Sequence, residues 1–126
     1  MAKNKKQNYE LITETNFNKI KQKVKKIKEE SKDSEIIFSS EDDDLNRKVL
    51  EKVFEIDILL IPLKERKDFM KQRNSGFNHV MAKEAKKNNT SIGIGFDEII
   101  EAKNINEKSK ILSRIIQNIF LCNKNK

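Results

Sequence analysis

Ile56-Asp57-Ile58-Leu59-Leu60-Ile61-Pro62 runs into Leu63-Lys64-Glu65-Arg66-Lys67-Asp68-Phe69-Met70-Lys71-Gln72-Arg73-Asn74, and then into Ser75-Gly76-Phe77-Asn78-His79-Val80-Met81-Ala82-Lys83-Glu84-Ala85-Lys86-Lys87. The first piece, Ile56 to Ile61, reads as a strand. Its apolar run lacks polar alternation, the pattern of a strand buried on both faces of a parallel sheet. Pro62 ends it, because proline has no N–H for a ladder. The last piece reads as a helix opened by Ser75-Gly76, with Phe77, Val80, Met81 and Ala85 at helical spacing. The connector carries Lys64, Arg66, Lys67, Lys71 and Arg73 against Glu65 and Asp68. A basic loop leaving the carboxyl end of a buried parallel strand is where α/β proteins put their binding groups.

Outward from this unit the same alternation repeats. Tyr9-Glu10-Leu11-Ile12-Thr13 reads as a short strand after a basic, disordered start from Met1 to Gln7. Thr15 or Asn16 caps a helix whose apolar seam is Phe17, Ile20, Val24 and Ile27. Lys19, Lys21, Lys23, Lys25, Lys26 and Lys28 surround that seam, either as a solvated face or as a phosphate-facing one. Glu35 to Ser40 is a second strand. Asp42-Asp43-Asp44 then complement the amide end of a helix through Leu45, Val49, Leu50 and Val53. A metal site is the weaker reading of those aspartates, since adjacent helical positions point apart and the calcium-loop spacing is missing. Asn88-Asn89 break the helix after the loop. Thr90 to Phe96 is a fourth strand, whose Gly93 and Gly95 on one face imply a cramped neighbour. Asp97 caps a short turn. Asn106 caps a last helix with Ile111, Leu112, Ile115, Ile116, Ile119 and Phe120 as its apolar stripe, and Lys110, Arg114, Gln117 and Asn118 off it.

Four strand–helix units in succession predict an α/β fold of parallel strands with right-handed crossovers. That is a partial TIM-like barrel of about four βα repeats, or a small open parallel sheet. At 126 residues the chain is one domain, residues 1–126. Its formal net charge is +7, which favours a polyanionic partner. The charge is uneven: residues 58–90 hold eight Lys/Arg against three Asp/Glu, while residues 35–57 hold three against eight. One cysteine, Cys122, excludes an internal disulfide and a multi-cysteine zinc site, and reads as an inert buried thiol. Neither a signal peptide nor an apolar span of membrane length is visible, so a cytoplasmic protein is expected.

The block Pro62-Leu63-Lys64-Glu65-Arg66-Lys67-Asp68, followed by Arg73-Asn74-Ser75-Gly76-Phe77-Asn78-His79-Val80-Met81-Ala82-Lys83, resembles the signature of the archaeal ribonuclease P protein component 3 family. Asp44-Leu45-Asn46-Arg47-Lys48, Ile56-Asp57-Ile58-Leu59, Ile94-Gly95-Phe96 and the segment from Ser113-Arg114 to Leu121-Cys122 are also similar to that family's pattern. The resemblance covers about Glu35 to Lys126. It implies a TIM-like barrel without catalytic residues of its own. Such a protein serves ribonuclease P, whose RNA subunit removes the 5′ leader from precursor tRNA. The partners implied are ribonuclease P RNA, precursor tRNA indirectly, and another small protein subunit. Against the family the chain looks truncated, lacking the usual first strand and helix and the segment beyond the last helix.

The expected RNA-binding residues are therefore Lys64, Arg66, Lys67, Lys71 and Arg73, with His79 and Lys83 near that surface. Arginine suits bidentate phosphate pairing and lysine supplies point charge. His79, the only histidine, lacks the partners that zinc or general-base chemistry needs. No catalytic residue, metal or cofactor is expected. The alternatives are a barrel phosphoesterase, which would need a cluster of His and Asp ligands, and a basic protein–protein adaptor.

Overall fold

A computed structural model describes residues 8–125; the expectation for Met1 to Gln7 lies outside them. The chain runs β1 (Tyr9–Ile12), α1 (Phe17–Glu30), β2 (Glu35–Ser39), α2 (Asp43–Lys52), β3 (Ile58–Leu60), α3 (His79–Lys87), β4 (Ser91–Gly93), α4 (Phe96–Ile100) and α5 (Ile105–Lys124). All three strand pairings are parallel, in the order β1-β2-β3-β4. Right-handed crossovers that always step the same way put their helices on one face of the sheet. That is the arrangement of a segment of a (β/α) barrel, whereas a doubly wound sheet reverses its strand order.

Register decides what is covered. Ile12, Phe38, Leu59 and Ile92 form one row across the sheet, and Leu11, Ile37, Ile58 and Ser91 the next. Successive side chains point to opposite faces, so the two rows face opposite ways. Ile12, Phe38 and Leu59 are buried, whereas Leu11 is 60% exposed and Ile37 and Ile58 are half-buried. The expectation that β3 is buried on both faces is thus corrected. An unbroken apolar run reports burial only when both faces have cover, and here the helices supply one. β3 is also shorter than the expected Ile56–Ile61, and β4 shorter than Thr90–Phe96.

The core lies between the sheet and the helices. Ile20 and Val24 of α1, Leu45, Val49 and Leu50 of α2, and Met81, Ala82 and Ala85 of α3 close over Ile36, Phe38 and Leu59. Helix starts are fixed by local side-chain acceptors. The Oδ1 of Asn16 accepts from the amides of Asn18 and Lys19, and that of Asp42 from Asp44 and Leu45. The Oδ1 of Asn78 accepts from Met81 N at 2.9 Å, so α3 begins at His79 and leaves Ser75 to Phe77 in the loop. Asn104, not Asn106, caps α5, and α4 starts after Gly95 without a side-chain cap. Gly93 answers to the cramped face expected of it, since a Cβ there would lie 2.9 Å from Ile58 Cγ2 and 3.2 Å from Leu60 Cδ1. Among the described residues no helix is long and apolar enough to cross a membrane.

The rotation of α5 departs from expectation. Ile111, Arg114, Ile115 and Asn118 point inward, while Leu112, Ile116, Ile119 and Phe120 are exposed. The apolar arc of this helix is wider than the contact it makes. The inner edge of the contact is completed by an arginine because the loop after β3 presents acceptors to it.

Leu59 is fully buried in an inner strand, so Leu59→Ala should lower the unfolding free energy in urea by about 2–5 kcal/mol. Leu11→Ala, on the uncovered face, should cost well under half of that.

Candidate nucleic-acid interface

The loop between Pro62 and Asn78 is long, yet it is wired shut by side chains from three helices. Where it leaves β3, the amides of Leu63 and Lys64 both donate to Glu98 Oε2 at 2.8 Å. Glu65 then takes a left-handed backbone (φ 56°), a conformation that costs a non-glycine residue of order 1 kcal/mol or more. Arg66 follows and turns back. Its Nε donates to Pro62 O at 2.6 Å, and its two terminal nitrogens donate to the two carboxylate oxygens of Asp43 at 2.8 and 2.9 Å. That fork-to-carboxylate geometry fixes direction as well as distance. The Arg66 side chain is 9% exposed.

Gly76 is shaped by the same arginine. Its φ is +69°, and a Cβ at this position would lie 2.5 Å from Arg66 Nη2. Both the backbone and the guanidinium lying against it require glycine. Asn74 braces the turn: its Oδ1 accepts from Gly76 N at 3.1 Å and its Nδ2 donates to Lys67 O at 3.3 Å.

The centre of the loop is Asp68. Its Oδ1 accepts from Asn74 N at 2.8 Å and from Arg114 Nη2 at 3.0 Å, and its Oδ2 accepts from Arg73 Nη1 at 2.7 Å. These bonds hold the carboxyl well below the usual carboxylate range, the Asn74 amide contributing most and the two arginines adding to it against the opposing effect of burial. Arg114, 1% exposed, also donates to Leu63 O at 2.6 Å and to Arg66 O at 2.9 Å. One side chain of α5 therefore gathers both ends of the loop's first half. Asn118, one turn on, donates to Ser75 O at 3.5 Å.

The expected contact residues fall into two groups. Arg66 is enclosed and engaged with Asp43, and Arg73, half-buried, is engaged with Asp68. Lys64, Lys67 and Lys71 are exposed, and among the described residues none has a carboxylate within 4 Å of its ammonium. His79 and Lys83 are exposed on the first turns of α3, close in sequence to the loop's end. The surroundings are not uniformly cationic. A cavity of about 300 Å³ at the loop's base is lined by Glu41 and Glu65 as well as by Lys64 and Arg66.

Sequence reading missed Asp43, Asp68, Glu98 and Arg114 as parts of the site. Asp43 was accounted for by the helix start, and Arg114 by an exposed helix face. The available signal was the sharing of a face by Arg114, Ile111, Ile115 and Asn118 at positions i, i−3, i+1 and i+4 of one helix. Cys122 is half-buried, and burial pushes its thiol up. Among the described residues no group of three or more His, Cys, Asp and Glu side chains could hold a metal ion.

Arg114→Met should destabilise the fold by about 3–5 kcal/mol, since it strips a buried partner from Asp68 and leaves two carbonyls without their donor. A matched Lys67→Met should be close to neutral in the same thermal or urea unfolding. Acid should act through Asp68. Its charged form is favoured in the folded chain, so that stabilisation is complete above the ordinary aspartate value of 3.8 and is lost as pH falls below it. Unfolding free energy measured from pH 6 downward should therefore drop more steeply for the wild type than for Asp68→Asn, which starts lower and changes less.

No protein-family model matches the chain, and a search of curated proteins finds no match to it.

Proposed function

We propose that this chain is a non-catalytic, RNA-binding protein subunit of ribonuclease P that supports RNA-catalysed removal of the 5′ leader from precursor tRNA. The observation that carries this reading is the loop after β3. It is held in one shape by Asp68, Arg114 and the Arg66–Asp43 pair, and it offers Lys64, Lys67 and Lys71 to solvent without partner carboxylates among the described residues. Ammonium groups on a pre-shaped loop meet phosphates without first ordering the backbone that carries them. Arg66 and Arg73 shape the loop, and the three lysines, with His79 and Lys83 beside them, face the RNA. Double-helical RNA hides its base edges in a deep, narrow groove, so such contacts read shape and phosphate.

The second half of the reading, a small protein partner in the same enzyme, is supported by the outward face of α4 and α5. Phe96, Ile100, Leu112, Ile116, Ile119 and Phe120 are all exposed there. Leu112, Ile116, Ile119 and Phe120 recur at i, i+4, i+7 and i+8, so on α5 they share one outward side of the helix, the kind of apolar stripe that suits a protein partner. The same face favours the adaptor alternative, in which the chain joins proteins and touches no RNA. The phosphoesterase alternative has no comparable support, because it requires convergent His and Asp ligands.

Reconstitution tests the proposal. Added to ribonuclease P RNA and the other protein subunits, the chain should raise the rate of leader removal from precursor tRNA at limiting Mg²⁺. No gain, together with no RNA retained on the purified chain, would leave the adaptor. In RNA-binding titrations, changing Lys64, Lys67 and Lys71 to Gln should lower the slope of log K against log salt by about 2–3, because each phosphate no longer neutralised removes roughly 0.7–0.9 from it.

A further inference from the structure

We propose a second polyphosphate-binding surface, distinct from the loop: the groove between α1 and α2, where Lys21, Lys25, Lys32 and Lys52 face the backbone of double-helical RNA. The inference rests on the RNA-binding part of the reading above and does not depend on the enzyme being ribonuclease P.

The groove has a volume of about 560 Å³, with Val24 and Val53 at its floor. Both valines belong to the buried core, so the groove is as rigid as the packing beneath it. Lys21, Lys25 and Lys28 follow one another at i, i+4 and i+7, which sets them in line along one face of α1. Lys32 extends the line just past the helix end, and Lys52 faces it from the last residue of α2. From Lys21 to Lys28 the line covers about 10 Å at 1.5 Å per residue, enough to span more than one phosphate of a strand.

These charges lack carboxylate partners, unlike the arginines of the molecule and a minority of its lysines. Lys23, Lys28, Arg47, Arg66, Arg73, Lys110 and Arg114 each have a carboxylate within 4 Å. Among the described residues Lys21, Lys25, Lys32 and Lys52 do not, although Glu29 and Glu55 also line the groove. At the amino end of the line, Lys21 and Lys48 converge on one ring, with their ammonium groups 5.1 and 4.4 Å from the centroid of Phe17. Among the described residues both are drawn to the ring's electron-rich face rather than to a carboxylate, so their charge remains available to an anion.

The chemistry of the groove selects among polyanions. Its lining has no aromatic ring, so it lacks the stacking platform on which single-stranded bases are held. The apolar seam of α1 is mostly spent on the core, with Ile20 and Val24 buried and Phe17 and Ile27 packed against it, which leaves little apolar surface to enter a lipid layer. What remains is a row of point charges over a rigid floor, suited to the regular phosphates of a duplex.

The test compares Lys25→Gln/Lys32→Gln/Lys52→Gln with the wild-type chain. None of the three side chains has a charged partner among the described residues, so the variant should keep the wild-type circular dichroism spectrum and melting temperature. Binding is titrated against an RNA duplex of about 16 base pairs over a range of KCl concentrations. The variant should bind at least tenfold more weakly at low salt, with the slope of log K against log salt reduced by about 2–3. A single strand of equal length and poly-glutamate should compete less well than the duplex. A folded variant that matches the wild type in affinity and slope would overturn the groove while leaving the loop proposal standing. Equal competition by poly-glutamate would overturn RNA as the occupant. A wild-type chain that fails to bind the duplex would overturn the groove, and the reconstitution assay would then decide the loop reading separately.

Discussion

Arg114 ties the last helix to the loop that leaves the central strand, and the arrangement of the candidate surface depends on that tie. Its guanidinium is almost wholly enclosed, and it donates to Leu63 O, Arg66 O and the carboxylate of Asp68. A charge in such a position must be met by an opposite charge and by hydrogen-bond acceptors, or the burial is too costly to persist. Asp68 supplies the charge and the loop's own carbonyls supply acceptors for the terminal nitrogens, while Nε is buried without a partner among the described residues. The loop is consequently bent around a side chain from a helix 46 residues further on. Its exposed lysines inherit that shape.

The consequence for the motif from Arg73 to Lys83 is a division of labour. Asn74 braces, Gly76 makes room for Arg66 at a left-handed backbone, and Asn78 starts α3. Each of these roles is architectural and local. Lys64, Lys67 and Lys71 meet solvent around them, beside the exposed Glu65, Phe69, Met70 and Gln72, and a lysine ammonium has no fixed geometry to satisfy. A pattern of this kind keeps a surface in place without dictating what touches it, so the exposed cations and not the motif set what can bind.

Much of the fold was readable in the chain. Alternating strand and helix signals, Asn16 and Asp42 before their helices, and Asn88-Asn89 after α3 all act within a few residues, where sequence order and spatial order coincide. Gly93 was legible for the same reason, as a position without a side chain on a cramped strand face, whereas Gly95 lies past the end of β4 at the start of α4. What could not be read was set by distance. Ile58 and Leu60 are as apolar as Leu59, and only the one-sided placement of the helices decides that they stay half-exposed. α5 has more apolar positions than its contact needs, so the stripe alone could not say which edge turns inward. Arg66 finds Asp43 from 23 residues away, and nothing in the local pattern of the loop distinguishes it from Lys67 beside it.

The triad of Arg73, Asp68 and Arg114 also bears on how the molecule responds to heat. Hydration of charged groups carries a strongly negative entropy, so stripping water from ions becomes less unfavourable as temperature rises, whereas apolar burial gains little more. Warming therefore shifts relative support from the hydrocarbon interior toward this ionic knot. The segment that looks most loop-like along the chain is then held by bonds that warming favours relative to the apolar core.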